Sequence, residues 1–101
     1  MKETYFGKEF EVIKVRDVSM VCFDLVSAIE FMHLAVANGE RILGGDIVIK
    51  KNNEYEYSYD NWYSQSKDPT ETLEVALNYL RLILKNFPLV TWRVVVTTER
   101  Y

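Results

Sequence analysis

Residues 42–63 read ILGGDIVIKKNNEYEYSYDNWY, and the predicted fold class depends mainly on their pattern. From Ile42 to Lys50, and again from Glu54 to Tyr59, the hydrophobic pattern has the period of two that is typical of β-strands. Asn52-Asn53 between the two runs is typical of a tight turn. The stretch therefore predicts a β-hairpin.

The register of this hairpin depends on the length of its loop. A two-residue loop would place Ile49 opposite Glu56 and mix apolar with polar side chains on both faces of the sheet. A three-residue loop, 51–53, collects the apolar side chains on one face, so we predict that loop. The predicted pairs on this face are Ile49 with Tyr55, Ile47 with Tyr57, and Gly45 with Tyr59.

A helix is predicted on each side of the hairpin. The first starts near Asp24, carries apolar residues at helical spacing, and stops at Asn38-Gly39, where glycine can adopt the left-handed conformation of a helix end. The second starts at Asp68-Pro69-Thr70-Glu71, with an acidic N-cap, proline at the first helical position and glutamate three residues after the cap. Its apolar stripe runs to Phe87 and ends at Pro88.

The outer segments predict two further strands. Residues 10–16 form a weakly patterned strand, and the β-branched run from Trp92 to Glu99 predicts a central strand with Trp92, Val94 and Val96 on one side. The resulting order, βαββαβ, predicts an α+β two-layer sandwich: a mostly antiparallel sheet with two helices packed on one face, as in ferredoxin-like folds. Other arrangements of the helices and the hairpin fit the same pattern. Residues 1–101 contain no internal repeat or linker, so we expect a single domain.

Composition narrows the classes of function. The chain has 101 residues, 49% hydrophobic content, a formal charge of −3 and a sequence pI near 5.1, which argues against direct nucleic-acid binding. Between residues 52 and 78 there are six acidic residues and one basic residue, so the most aromatic segment is also acidic. The single cysteine forms no internal disulfide, and no apolar run is long enough to span a membrane. The N-terminus lacks a signal peptide pattern, so a cytoplasmic protein is expected.

Groups that could support catalysis are few. His33 is the only histidine and lies beside an apolar stripe, while Cys22 stands in an apolar run and is expected to be a small buried residue. No nucleophile elbow, P-loop or metal-ligand motif occurs, so we expect no enzyme, no cofactor and no metal site. Asp46 and Asp60 are predicted to share an outward face, and an enzyme that uses this carboxylate pair is the lowest-ranked alternative.

Two features of the hairpin admit two interpretations each. The adjacent glycines Gly44 and Gly45 either let an aromatic ring lie over bare backbone or let a ligand or partner approach closely. Trp62, in the loop-like run Asp60-Asn61-Trp62-Tyr63, is either an interface anchor or a lid on the core.

The stretch 42–63 resembles the bacterial polymorphic-toxin immunity proteins grouped as immunity protein 40. The resemblance is carried by Ile42-Leu43-Gly44-Gly45-Asp46 and by Tyr59-Asp60-Asn61-Trp62-Tyr63, which lie on the hairpin before an amphipathic helix. It implies a small intracellular protein that neutralises a cognate toxin domain by direct contact.

The expected contact residues lie on the hairpin. They are Asp46, Glu54, Glu56, Asp60, Trp62 and Tyr63, with Gly44, Gly45 and Asn61 as structural residues of the motif. If the toxin is a nuclease, its basic substrate cleft would accept these acids as phosphate mimics. A small ligand-binding or regulatory module, with Tyr55, Tyr57 and Tyr59 lining a planar ligand, is the alternative function. The chain is expected to be a monomer or a homodimer formed through the hairpin edge.

Overall fold

Two helices pack on one face of a three-stranded antiparallel sheet in the computed structural model, which describes residues 1–14, 21–88 and 91–100. The sheet has the order β6-β5-β7, while β1-β2 and β3-β4 form separate two-stranded sheets. The predicted α+β class with both helices on one face is confirmed. The elements are β1 (Lys2–Tyr5), β2 (Lys8–Glu11), β3 (Ile13–Lys14), β4 (Val21–Cys22), α1 (Leu25–Ala37), β5 (Glu40–Lys51), β6 (Glu54–Tyr63), α2 (Pro69–Asn86) and β7 (Trp92–Arg100).

Both helices begin and end close to the predicted residues. The Asp24 side chain accepts a hydrogen bond from the Ser27 N–H at 2.8 Å, and Asp68 caps α2 by accepting from the Thr70 N–H at 3.0 Å. Gly39, with φ of 81°, follows the end of α1. These local signals were sufficient to place the helices because capping depends on neighbours in sequence.

The N-terminal segment forms more strands than predicted. Instead of one strand over 10–16, β1 and β2 make a hairpin around Phe6-Gly7, whose φ values of 52° and 75° are typical of a tight two-residue turn. The predicted residues 15 and 16 lie outside the described ranges. Phe10 is 3% exposed and packs edge-on against Phe23, so this hairpin closes one end of the core.

The last strand is at the edge of the three-stranded sheet, so the prediction of a central position is wrong. The central strand is β5, with β6 on one side and β7 on the other. An isolated antiparallel bridge joins Val94 of β7 to Phe23. The β-branched run arises because β7 is buried on both faces: Val94 faces the helices, and Val95 belongs to a second apolar cluster with Cys22 and Val48. Trp92, Val94 and Val96 share the helix side, as predicted.

The sheet order also departs from a ferredoxin-like sandwich. In the described ranges the N-terminal strands stay outside the three-stranded sheet, and the strand pairs are antiparallel. A split βαβ arrangement would place the first strand inside this sheet.

The predicted register of the hairpin is wrong. Lys51 pairs with Glu54 across a two-residue turn, and Ile49 faces Glu56. Asn52 and Asn53 have φ values of 51° and 65°, the left-handed conformation that a two-residue turn requires and that asparagine tolerates. A two-residue turn alone would mix apolar and polar side chains on each face along the whole hairpin. A β-bulge between Asp46 and Val48 changes the pairing beyond that point, because it shifts the register.

Candidate functional site

The bulge in the β5–β6 hairpin is the most irregular part of the sheet. Val48 pairs with Tyr57 and Asp46 pairs with Asn61, so residues 58–60 of β6 stand opposite Ile47 alone. The Ser58 hydroxyl lies 3.0 Å from both the Ile47 carbonyl oxygen and Asp60 Oδ2, and it accepts a hydrogen bond from the Asp60 N–H at 3.2 Å. A side chain thus replaces the ladder hydrogen bonds that the bulge interrupts.

Tyr59 occupies the centre of this bulge and points into solvent. Its backbone has φ of 68° and its side chain is 92% exposed. The predicted pair of Gly45 with Tyr59 is therefore wrong, because the bulge turns this tyrosine away from the sheet. The sequence pattern carried no signal for this, since strict alternation places Tyr59 on the apolar face.

Trp62 takes the place predicted for Tyr59. It pairs with Gly45, is 7% exposed, and stacks on Tyr79 of α2 at a centroid distance of 5.2 Å. A Cβ atom on Gly45 would lie 2.3 Å from Trp62 Cη2, and one on Gly44 would lie 2.2 Å from the Trp62 carbonyl oxygen. The indole ring and the backbone of Trp62 therefore occupy the space that side chains at the two glycines would need. Trp62 therefore belongs to the core, as the interpretation of this residue as a lid on the core predicts.

Asp46 and Asp60 do not form the predicted pair on one face. Asp46 stands opposite Asn61, and Asp60 is the neighbour of that residue in the bulge. Both acids nevertheless act on one group: burial raises the pKa of the Tyr79 phenol above its ordinary value, and the charges of Asp60 and then Asp46 raise it further. In the described part of the chain, no cluster of three or more His, Cys, Asp or Glu side chains could hold a metal ion.

The two predicted glutamates and Tyr63 lie at opposite ends of β6. Glu54 and Glu56 are exposed next to the turn, where Lys51 Nζ is 3.5 Å from Glu56 Oε1. Tyr63 is 71% exposed at the other end, and Tyr59 lies between them. The strand pairings of the described ranges place only β5 beside β6, so its outer edge presents tyrosines and acids together.

The remaining candidates, Cys22 and His33, belong to β4 and α1 and not to the hairpin. Cys22 is 1% exposed and packs with Val48, which confirms the prediction of a small buried residue. His33 is exposed on α1. None of the helices in the described ranges has the length and apolar character of a membrane span.

A groove of about 780 Å³ lies along β7, at the edge of the sheet opposite β6. Aromatic side chains line one wall, and Glu40 and Arg100, whose charged groups are 3.7 Å apart, lie at its edge. In the hairpin, Tyr55 and Tyr57 are half-buried while Tyr59 is 92% exposed, so the three tyrosines of the predicted ladder do not share one environment. The groove is lined by Thr4, Tyr5, Phe6, Val21, Phe23, Phe31 and Asn38, by the β7 residues Val95, Val96, Thr97 and Thr98, and by the two charged residues.

The fold and the hairpin edge define a small acidic α+β protein whose exposed tyrosines suit contact with another protein. The family model of immunity protein 40 matches residues 12–87, about three quarters of the chain, and the chain belongs to this family. The match spans α1, β5, β6 and α2. The assignment indicates an inhibitory role against a toxin protein rather than an enzymatic one. Comparison with curated proteins and with solved structures gives no match.

Proposed function

We propose that this protein binds a cognate bacterial polymorphic-toxin domain through the β5–β6 hairpin and thereby protects the cytoplasm of the producing cell. The family match is the observation that carries the proposal. The hairpin supports the choice of surface, because its outer edge combines exposed aromatic rings with carboxylates. Aromatic residues dominate the energy of many protein interfaces, and charges steer the partners together.

The electrostatic part of the proposal concerns four acids. Glu54 and Glu56 are exposed near the turn, and Asp46 and Asp60 are half-buried at the bulge. A toxin with a basic cleft, as a nuclease has, would be attracted to this edge, and the carboxylates would take the places of substrate phosphates. Because Glu54 and Glu56 are exposed, their main effect is on the association rate, which falls as salt rises.

The apolar part of the proposal rests on exposed rings. Tyr63 is available for contact, while Trp62 beside it holds β6 against α2 through its stacking on Tyr79. Asn61 and the two glycines have structural roles: Asn61 continues the ladder after the bulge, and Gly44 and Gly45 make room for Trp62. Loss of Trp62 would therefore weaken binding indirectly, through the fold.

The test is co-expression with the C-terminal domain of a large secreted protein encoded immediately upstream. Cell survival and a complex on a sizing column are the expected results. The double variant Glu54→Lys/Glu56→Lys should slow association at least about 10-fold at low salt and much less at high salt.

The matched control reverses two exposed acids away from the hairpin, Glu9→Lys/Glu74→Lys, and changes the net charge equally. It should associate nearly as fast as the unmodified protein. Equal slowing by both double variants would show that net charge matters and the hairpin does not. Neither protection nor a complex would contradict the proposed function itself.

A ligand-binding module is the second candidate function, and the groove beside β7 favours it. Its aromatic wall and its charged pair at the rim are typical of small-molecule sites. A screen of small aromatic acids by thermal shift tests it. Stabilisation that is lost in Arg100→Ala would support this function, whereas an unchanged melting temperature across the screen would contradict it.

A further inference from the structure

We propose that Tyr59 is the principal anchor by which the hairpin holds its toxin, and that the fold keeps this ring exposed at a cost in stability. The inference rests on the proposed function and adds to it the residue and the chemistry of the contact. Tyr59 was expected to be a buried partner of Gly45, so neither the resemblance nor the family match assigns it this role.

The backbone at Tyr59 is the first step of the argument. A side chain with a Cβ atom is disfavoured in the left-handed region, and aromatic residues are rare there. The other non-glycine residues with positive φ in the described ranges are Phe6, Asn52 and Asn53. Asparagine tolerates the conformation, and the Phe6 ring packs 5.8 Å from that of Phe31, which offsets the strain there.

Tyr59 has no such compensation within the fold. Its side chain is 92% exposed, so burial contributes almost nothing to stability at this position. Glycine or asparagine would satisfy the same backbone with less strain, as they do at the turns of this chain. A strained residue that the fold does not require is typical of a functional position.

The surroundings impose the strained conformation. The ladder pairs Val48 with Tyr57 and Asp46 with Asn61 fix the chain on both sides of the bulge, and the Ser58 hydroxyl joins β6 to the Ile47 carbonyl oxygen across it. The ring is therefore held out before the partner arrives, and less conformational freedom is lost on binding than for a mobile loop.

The chemistry around the ring defines the partner's surface. Asp60 follows directly, and Tyr63 and the glutamates of β6 lie along the same strand. An apolar pocket that accepts the phenol ring, with lysine or arginine at its rim to meet the carboxylates, is the complementary site. We expect the toxin domain to present such a pocket.

The test compares folding and binding in the same variants, with the upstream-encoded toxin domain as the probe. Tyr59→Gly removes the ring and relieves the strain, so it should raise the melting temperature by about 4 °C and weaken binding at least about 10-fold. Tyr59→Phe keeps both the ring and the strain and should bind within about 3-fold of the unmodified protein. A variant that melts at a higher temperature but binds more weakly identifies a residue that serves binding and lowers the stability of the fold.

Asn53→Gly is the matched control, because it places glycine at another positive φ on the same hairpin without removing a ring. It should leave binding unchanged. If Tyr59→Gly binds like the unmodified protein, or if it melts at a lower temperature, the inference is overturned while the proposed function stands. If the unmodified protein neither binds the toxin domain nor protects the cell, both the proposed function and this inference are wrong.

Discussion

Gly45 shows how a single missing side chain organises the hairpin. Its bare backbone receives the edge of the Trp62 indole, and Trp62 in turn stacks on Tyr79 of α2. The aromatic ring thus links the edge of the sheet to the helix layer at the position where β6 would otherwise have only β5 as a neighbour. The glycine costs conformational entropy in the unfolded chain, and the packing of the indole offsets that cost.

Gly45→Ala should destabilise the protein by about 1–3 kcal/mol, the usual cost of overpacking a core. The added Cβ would lie 2.3 Å from both Trp62 Cη2 and the Val95 carbonyl oxygen, so the ring and the neighbouring strand would both have to move. Urea denaturation followed by circular dichroism measures the change. A midpoint equal to that of the unmodified protein would show that the indole shifts freely and that the glycine serves contact with the partner instead.

Thr72 links helix α2 to strand β5. It is 0% exposed on the first turns of α2, where its hydroxyl donates to the Pro69 carbonyl oxygen at 2.7 Å. The Thr72 hydroxyl oxygen itself accepts a hydrogen bond from the Ile42 N–H of β5 at 2.9 Å. Ile42 lies beside a register shift in the β5–β7 ladder, so the threonine satisfies a backbone donor at an irregular point of the sheet.

Thr72→Val should cost about 1–3 kcal/mol, because it leaves the buried Ile42 N–H without an acceptor while keeping the shape of the side chain. Thr72→Ser keeps the hydroxyl and serves as the control, with a cost of about 1 kcal/mol for the missing methyl group. Chemical denaturation of the two variants gives the comparison. Equal losses for valine and serine would mean that the hydrogen bond contributes nothing and that packing decides the position.

The elements differ in how well their sequences predict them. The helices follow from Asp24, Gly39 and the Asp68-Pro69 start, because capping is a local property. The hairpin was predicted, but its register was not, since alternation alone cannot reveal a bulge. The bulge depends on Trp62 reaching Gly45 and Tyr79, and those contacts join residues that are distant in sequence.

The same limit applies to the candidate site. The acids of the hairpin could be named from the sequence because charge near a turn is normally exposed. Trp62 lies opposite Gly45 in the place predicted for Tyr59, since a shift of register moves side chains from one face to the other. Only the three-dimensional fold distinguishes the buried ring from the exposed one.

At the scale of the whole molecule, three half-buried tyrosines among the described residues link stability to alkaline pH. Burial raises the pKa of Tyr5, Tyr57 and Tyr79 above the ordinary value of 10.0, and nearby acidic groups raise each of them further. The folded protein therefore holds these phenol protons more tightly than the unfolded chain does. The stability that this provides is fully present below pH 10 and is lost as pH rises through the raised values.

The free energy of unfolding should accordingly fall as pH rises above 10, and Tyr79→Phe should make the fall shallower. Phenylalanine keeps the ring that stacks on Trp62 while removing the group that must ionise. Urea titrations at a series of pH values measure both slopes. A Tyr79→Phe profile parallel to that of the unmodified protein would contradict the assignment of this phenol to the alkaline transition.

At the bulge, residues that can be substituted independently lie next to residues that cannot. Gly44, Gly45 and Trp62 constrain one another, so a mutation in any of them must be compensated within the core. Tyr59 points outward from the extra residues of the bulge, and replacing its ring leaves that packing untouched. A lineage under pressure from a changing toxin could therefore alter its specificity at the bulge while the scaffold beneath is inherited intact.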